Sequence, residues 1–145
     1  IVQWTTDLSV GIEILDQQHR RLFEIADELL GAMVAGKGRA EVVPVFDFLG
    51  EYVAQHLSLE EEAMLEVGDR HYDAHRAEHD EFRRAFDALG ESLRVAGPST
   101  QILLELNELI CGWLRNHIVK VDPSVRKAVE AYGGAVDAFA RARSR

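Results

Sequence analysis

One cysteine, Cys111, excludes an internal disulfide. That suits a reducing compartment, and a cytoplasmic protein is the expectation. No apolar run approaches the roughly 20 residues of a membrane span, and no secretory signal is visible. Basic residues are in short supply, 16 Lys and Arg against 25 Asp and Glu, for a net charge of −9. A chain this acidic lacks the basic face that phosphate binding requires, so nucleic acid is not an expected partner. Strict polar–apolar alternation is absent, which argues against strands. Proline occurs only at 44, 98 and 123, and internal repeats and low-complexity segments are missing. The chain also begins at Ile1 without an initiator Met. This fits a segment cut from a longer protein or one lacking its leader, with a fused or partner signalling module as one setting.

What remains is an ordinary globular composition, 47% hydrophobic in 145 residues, enough for a real core. The apolar residues recur with helical period. A first helix is expected from Asp16, as N-cap, to about Ala35, with Leu15, Leu22, Ile25, Leu29 and Met33 on one face. A second is expected over about 40–67, with Val42, Phe46, Leu49, Val53, Leu57 and Met64 as its stripe and Pro44 in its first turn. In the third, Tyr72, His75, His79, Phe82, Phe86, Leu89 and Leu93 follow a three-four repeat. The fourth opens at Ser99, carries Leu103, Leu106, Ile110, Trp113 and His117, and stops at Pro123. Four such helices with short loops predict an all-α, antiparallel up-down-up-down four-helix bundle over 1–123. Residues 124–145 predict an additional C-terminal amphipathic helix on Val125, Val129, Tyr132, Val136 and Phe139. That extension holds five Lys and Arg against two Asp and Glu, a net of +3, which leaves −12 for the rest. It is expected to dock on the acidic bundle or to lead toward a neighbouring module.

The stretch HYDAHRAEH, 71–79, carries three of the six histidines. His75 and His79 occupy seam positions where Leu belongs, and His117 does the same on the fourth helix. His56 and Glu60 lie on the second stripe, three and seven residues after Val53, and His19 lies between Leu15 and Leu22 on the first. Asp122 precedes Pro123, which disfavours helical backbone there and lets the carboxylate turn inward. Five imidazoles and two carboxylates in one interior cannot satisfy one another, and buried unpaired carboxylates cost several kcal/mol. Metal ions resolve both problems. Seven ligands suit two ions bridged by carboxylates, Glu60 and Asp122 being the bridge candidates, and imidazole with carboxylate favours Fe, Mn or Zn. His71 falls beside the seam and is expected to be an exposed helix-start residue. Glu61 and Glu62 are expected off the core face, in solvent.

In this arrangement the chain resembles the hemerythrins, and specifically bacteriohemerythrin domains. The resemblance rests on Trp4, GIEILDQQHRRLF at 11–23, HLSLEEEAM at 56–64, HRAEHDEF at 75–82 and WLRNHIVKVD at 113–122. It implies two Fe ions with an oxo or hydroxo bridge. His75, His79 and His117 would hold one iron, His19 and His56 the other, with Glu60 and Asp122 bridging. It further implies reversible O2 binding at the open position of the second iron, as carrier, store or sensor rather than enzyme. Reversibility requires a closed apolar pocket, for which Leu22, Leu57, Leu114, Ile118 and Trp113 are the expected lining. The family usually has Phe directly after the second-helix His, where this chain has Leu57. A smaller side chain leaves room for water, other small anions or NO beside the open iron. The alternative function is therefore a di-iron redox enzyme, or a redox or nitric-oxide sensor with rapid autoxidation. Ferritin-like oxidases use Glu-x2-His motifs, which are lacking here.

Overall fold

A computed structural model describes residues 4–9 and 13–118, except the side chain of Ile14. Asp122 and the 124–145 extension lie outside the described residues. After a short 3-10 turn (Thr6–Leu8) come α1 (Glu13–Val34), α2 (Arg39–Glu66), α3 (Tyr72–Ala96) and α4, which starts at Thr100 and passes through a π-helical turn at Glu108–Leu114. The last described residues, 115–118, return to α-helix. Each helix packs on the next and α4 packs back on α1, closing an antiparallel four-helix bundle. None of the described helices is long and apolar enough to cross a membrane.

The loops are short because the chain reverses on left-handed residues. Gly36 (φ 76°) and Gly68 (φ 65°) follow α1 and α2, in a conformation that side chains with a Cβ rarely adopt. At the second, Asp69 N–H bonds to Met64 C=O at 2.9 Å and Gly68 N–H to Leu65 C=O at 3.1 Å, which closes the helix as a Schellman motif. The loop at 67–71 thus brings the end of α2 against the start of α3. His56 and Glu60 lie on one side of it, His75 and His79 on the other. Antiparallel order brings the start of α1, with His19, and the end of α4, with His117, to the same end of the bundle.

The α3 seam is as expected, buried from His75 to Leu93 with Tyr72 half-buried. Three expectations need correction. Asp16 is no N-cap: α1 starts three residues earlier, and the buried Asp16 side chain takes a hydrogen bond from Ser9 Oγ. Pro44 is the sixth residue of α2, past its first turn. Its missing N–H deprives the carbonyl of Ala40, and that residue is exposed to water. On α4 the buried residues are Ile102, Leu106, Ile110, Leu114 and Ile118, with His117, while Leu103 and Trp113 are only half-buried. A strict spacing of four runs about 160° ahead of an α-helix over that length. The π turn, with its wider i→i+5 closure, absorbs much of the excess and keeps Leu114, His117 and Ile118 facing inward.

Candidate metal centre

Six of the seven expected ligands are described, and all six are buried at one end of the bundle. They form two groups around Glu60. The Nε2 atoms of His75, His79 and His117 stand 2.9, 3.2 and 3.7 Å from Glu60 Oε1. On the other side, the Nε2 atoms of His56 and His19 stand 2.8 and 4.0 Å from Oε2. His79 and His117 bring their Nε2 atoms within 2.9 Å, and His19 and His56 within 3.1 Å. Ligands at right angles on one ion, each about 2.1 Å from it, are about 3.0 Å apart, and opposite ones about 4.2 Å. Within each group one ligand atom from each residue lies within 4.8 Å of the others, so both groups have the dimensions of a cation site.

Proton accounting points the same way. The outer nitrogens of three rings have acceptors: His79 Nδ1 at Glu61 Oε2 (2.7 Å), His117 Nδ1 at Glu78 Oε2 (3.1 Å) and His56 Nδ1 at Gln18 Oε1 (2.8 Å). Each of these Nδ1 atoms donates, so a neutral ring turns a bare lone pair inward from Nε2. Bare nitrogens and carboxylate oxygens then face one another in a dry interior. Glu60 Oε2, although 2.8 Å from His56 Nε2, is left without a hydrogen-bond donor among the described residues. Only added protons or a metal cation reconcile these groups.

Protons do so unevenly. Burial, with His56 nearby, drives His19 down to about 3 despite the Glu60 charge. Burial also lowers His75, against the opposing pull of Glu60. For His79, burial is outweighed by the bonds to Glu60 and Glu61, and its basicity rises. The Glu60 carboxyl is pushed up by burial but held well below its ordinary range by His56, His117 and His75. A proton can settle on His79, while His19 stays neutral with its lone pair free.

The apolar residues next to the ligands in sequence are buried or half-buried. Leu22 and Leu57 are wholly buried, Leu114 and Ile118 nearly so, and Trp113 stacks on the His117 ring at 4.8 Å and 10°. His71 is exposed and pairs with Asp69 at the start of α3, as expected. Glu61 corrects the sequence reading. It is buried, not solvated, and its carboxylate sits behind His79. Gln18, Glu61 and Glu78 were all missed as partners of ring nitrogens. The one usable signal was the placing of Arg76 and Arg83 three before and four after His79, on one helix face with it.

Fold and site together define a class: an all-α bundle whose histidine-rich centre can hold metal cations. Residues 10–123 match the hemerythrin HHE cation binding domain, and the chain belongs to the hemerythrin family. It is 33% identical to a bacteriohemerythrin of Stenotrophomonas maltophilia (strain R551-3), over 97% of this chain and 88% of that one. Similarity to a bacteriohemerythrin of Pseudomonas aeruginosa (strain LESB58) is 31% identity over 87% and 80%. A hemerythrin-like protein of Naegleria gruberi is 30% identical over 79% of this chain and 82% of its own. Among solved structures, a wild-type hemerythrin superposes with a TM-score of 0.75 at 27% identity, covering 94% of this chain and 98% of the other.

Proposed function

We propose that this chain binds O2 reversibly at a pair of iron ions divided by Glu60. The observation that carries the proposal is the carboxylate itself, with one oxygen turned to three imidazoles and the other to two. In this reading His75, His79 and His117 would hold one ion together with Glu60, and His19 and His56 would hold the other. Asp122, outside the described residues, would add a second carboxylate ligand. Iron, when bound, supplies reversible electron transfer to O2. The chain's own residues do the rest. The neutral His19 offers its lone pair at physiological pH. With two imidazoles against three, the His19–His56 group would leave its ion more open, and O2 binding is proposed on that side. Leu22 and Leu57, beside His19 and His56 in the chain, and Leu114, Ile118 and Trp113, beside His117, would keep water from the centre, and an apolar surround withholds the protons that would make binding irreversible.

The test is optical. The protein is purified, its iron counted, reduced without air and then exposed to O2. Two irons per chain and a visible band that appears with O2 and disappears when O2 is removed are the expected result. Conversion to a stable oxidised form would overturn reversible binding in favour of a redox enzyme or sensor. A folded bundle that retains no metal would overturn the metal reading.

A further inference from the structure

Resting on that metal reading, we propose that Glu61 is a positioning residue that strengthens the three-histidine group relative to the two-histidine group by holding His79 from behind. Glu61 follows Glu60 by one residue, about 100° around α2. Glu60 faces the centre, whereas Glu61 faces the seam between α2 and α3. There its Oε2 accepts His79 Nδ1–H at 2.7 Å and forms an ion pair with Arg83 Nη1 at 2.9 Å, and Arg76 Nε lies 3.8 Å from Oε1. Arg83 also bonds to Asp80 at 2.9 Å, which braces the guanidinium between two carboxylates. A buried carboxylate is costly alone, and such a pair contributes little net stability. Its effect is directional. The bond fixes His79 with Nδ1 protonated and Nε2 aimed inward, and a carboxylate behind an imidazole makes the inner nitrogen a stronger donor to a metal.

The other rings lack this support. His56 is backed by the neutral Gln18 amide, and His117 by Glu78, whose side chain is 49% exposed against 10% for Glu61. The Nδ1 atoms of His19 and His75 have no hydrogen-bond partner among the described residues. Among the described residues, charged backing therefore falls on one side of Glu60, and only that of His79 is buried.

The experiment uses the full chain loaded with Fe(II) without air, with graded chelator competition as the readout. Loss of such outer partners typically weakens metal binding about 10–100-fold. Glu61→Gln, which keeps an acceptor but no charge, is expected near the lower end, and Glu61→Ala near the upper. Each should weaken one of two ions, with the metal-free melting temperature of Glu61→Gln close to wild type. Glu78→Gln should weaken binding less than Glu61→Gln. In a His56→Ala background, where the three-histidine group binds alone, Glu61→Gln must weaken binding by the same factor. Equal retention of both ions by wild type and Glu61→Gln, or equal weakening of both, would overturn the proposal while leaving the metal reading intact. Wild-type protein that retains no ion would overturn both. Should Glu61→Ala fail to fold, Glu61→Gln decides.

Discussion

Two ends of one bundle solve the burial problem differently. Toward the loops at 35–38 and 97–99, the seams carry Leu29, Met33, Val42, Phe46, Leu89, Leu93, Ile102 and Leu106, all buried. Phe46 stacks on Phe86 at 4.3 Å, and an added Cβ on Gly90 would come within 2.7 Å of the Phe46 ring, so α2 and α3 pack closely there. Toward the loop at 67–71 the same seams carry five imidazoles and Glu60. Apolar packing is non-directional and complete in itself. The polar end turns imidazole nitrogens and the Glu60 carboxylate toward one another, an arrangement that a bound cation would satisfy. One end stabilises the fold, and the other is held in place by it.

The sharpest break in that comparison comes from the apolar end. Leu93→Ala removes a wholly buried side chain far from the histidines and is expected to cost about 2–5 kcal/mol. Denaturant melts should show the same loss in metal-loaded and metal-free protein. Stripping the metal with a chelator probes the other end. An ion present at a hundredfold its dissociation constant stabilises by about 2.7 kcal/mol, and the melting temperature should fall by the corresponding amount. His79→Ala should abolish the share of that response that the three-histidine group supplies.

Acid sharpens the comparison further. His19 and His75 are depressed in the folded protein. The unfolded chain therefore binds more protons below its ordinary histidine range, and stability is lost as pH falls from about 6.5. Each such group contributes a slope of up to about 1.4 kcal/mol per pH unit. His79, with raised basicity, works in the opposite sense but only above that range, so it does not offset the acid loss. Glu60 and Glu61, both lowered, add to the loss below about 4.5, the ordinary glutamate value. Metal-free melts between about pH 6.5 and 4 should fall steadily, and a flat profile would contradict the buried neutral imidazoles. Smallest is the Ser99 cap on α4, whose side chain accepts Ile102 N–H at 3.1 Å. Ser99→Ala should cost about 1 kcal/mol in melts and leave metal retention unchanged.

The α3 seam was legible because its spacing holds for three heptads, and a Leu-to-His change keeps the face while changing the chemistry. Ser99 after Pro98 was equally plain. Asp16 misled because Asp ahead of an apolar run is a common cap, yet here it is buried within the first turn with Ser9 as its partner. Leu103 and Trp113 were placed by α-helical spacing, and the π turn moved the stripe to Leu114 and Ile118. Glu61 was missed because a residue 100° off a stripe faces water or a neighbouring helix according to how closely that helix approaches.

By itself, then, the order of residues determined which side chains share a helix face. That periodicity belongs to the backbone, so His19, His56, Glu60, His75, His79 and His117 were bound for the interior once four helices formed. Tertiary structure decided what spacing cannot express: which Glu60 oxygen meets which imidazoles, which ring nitrogens are backed by a carboxylate, and where α4 widens its turn. These depend on distances between residues far apart in the chain, and only the packing of helix against helix sets them.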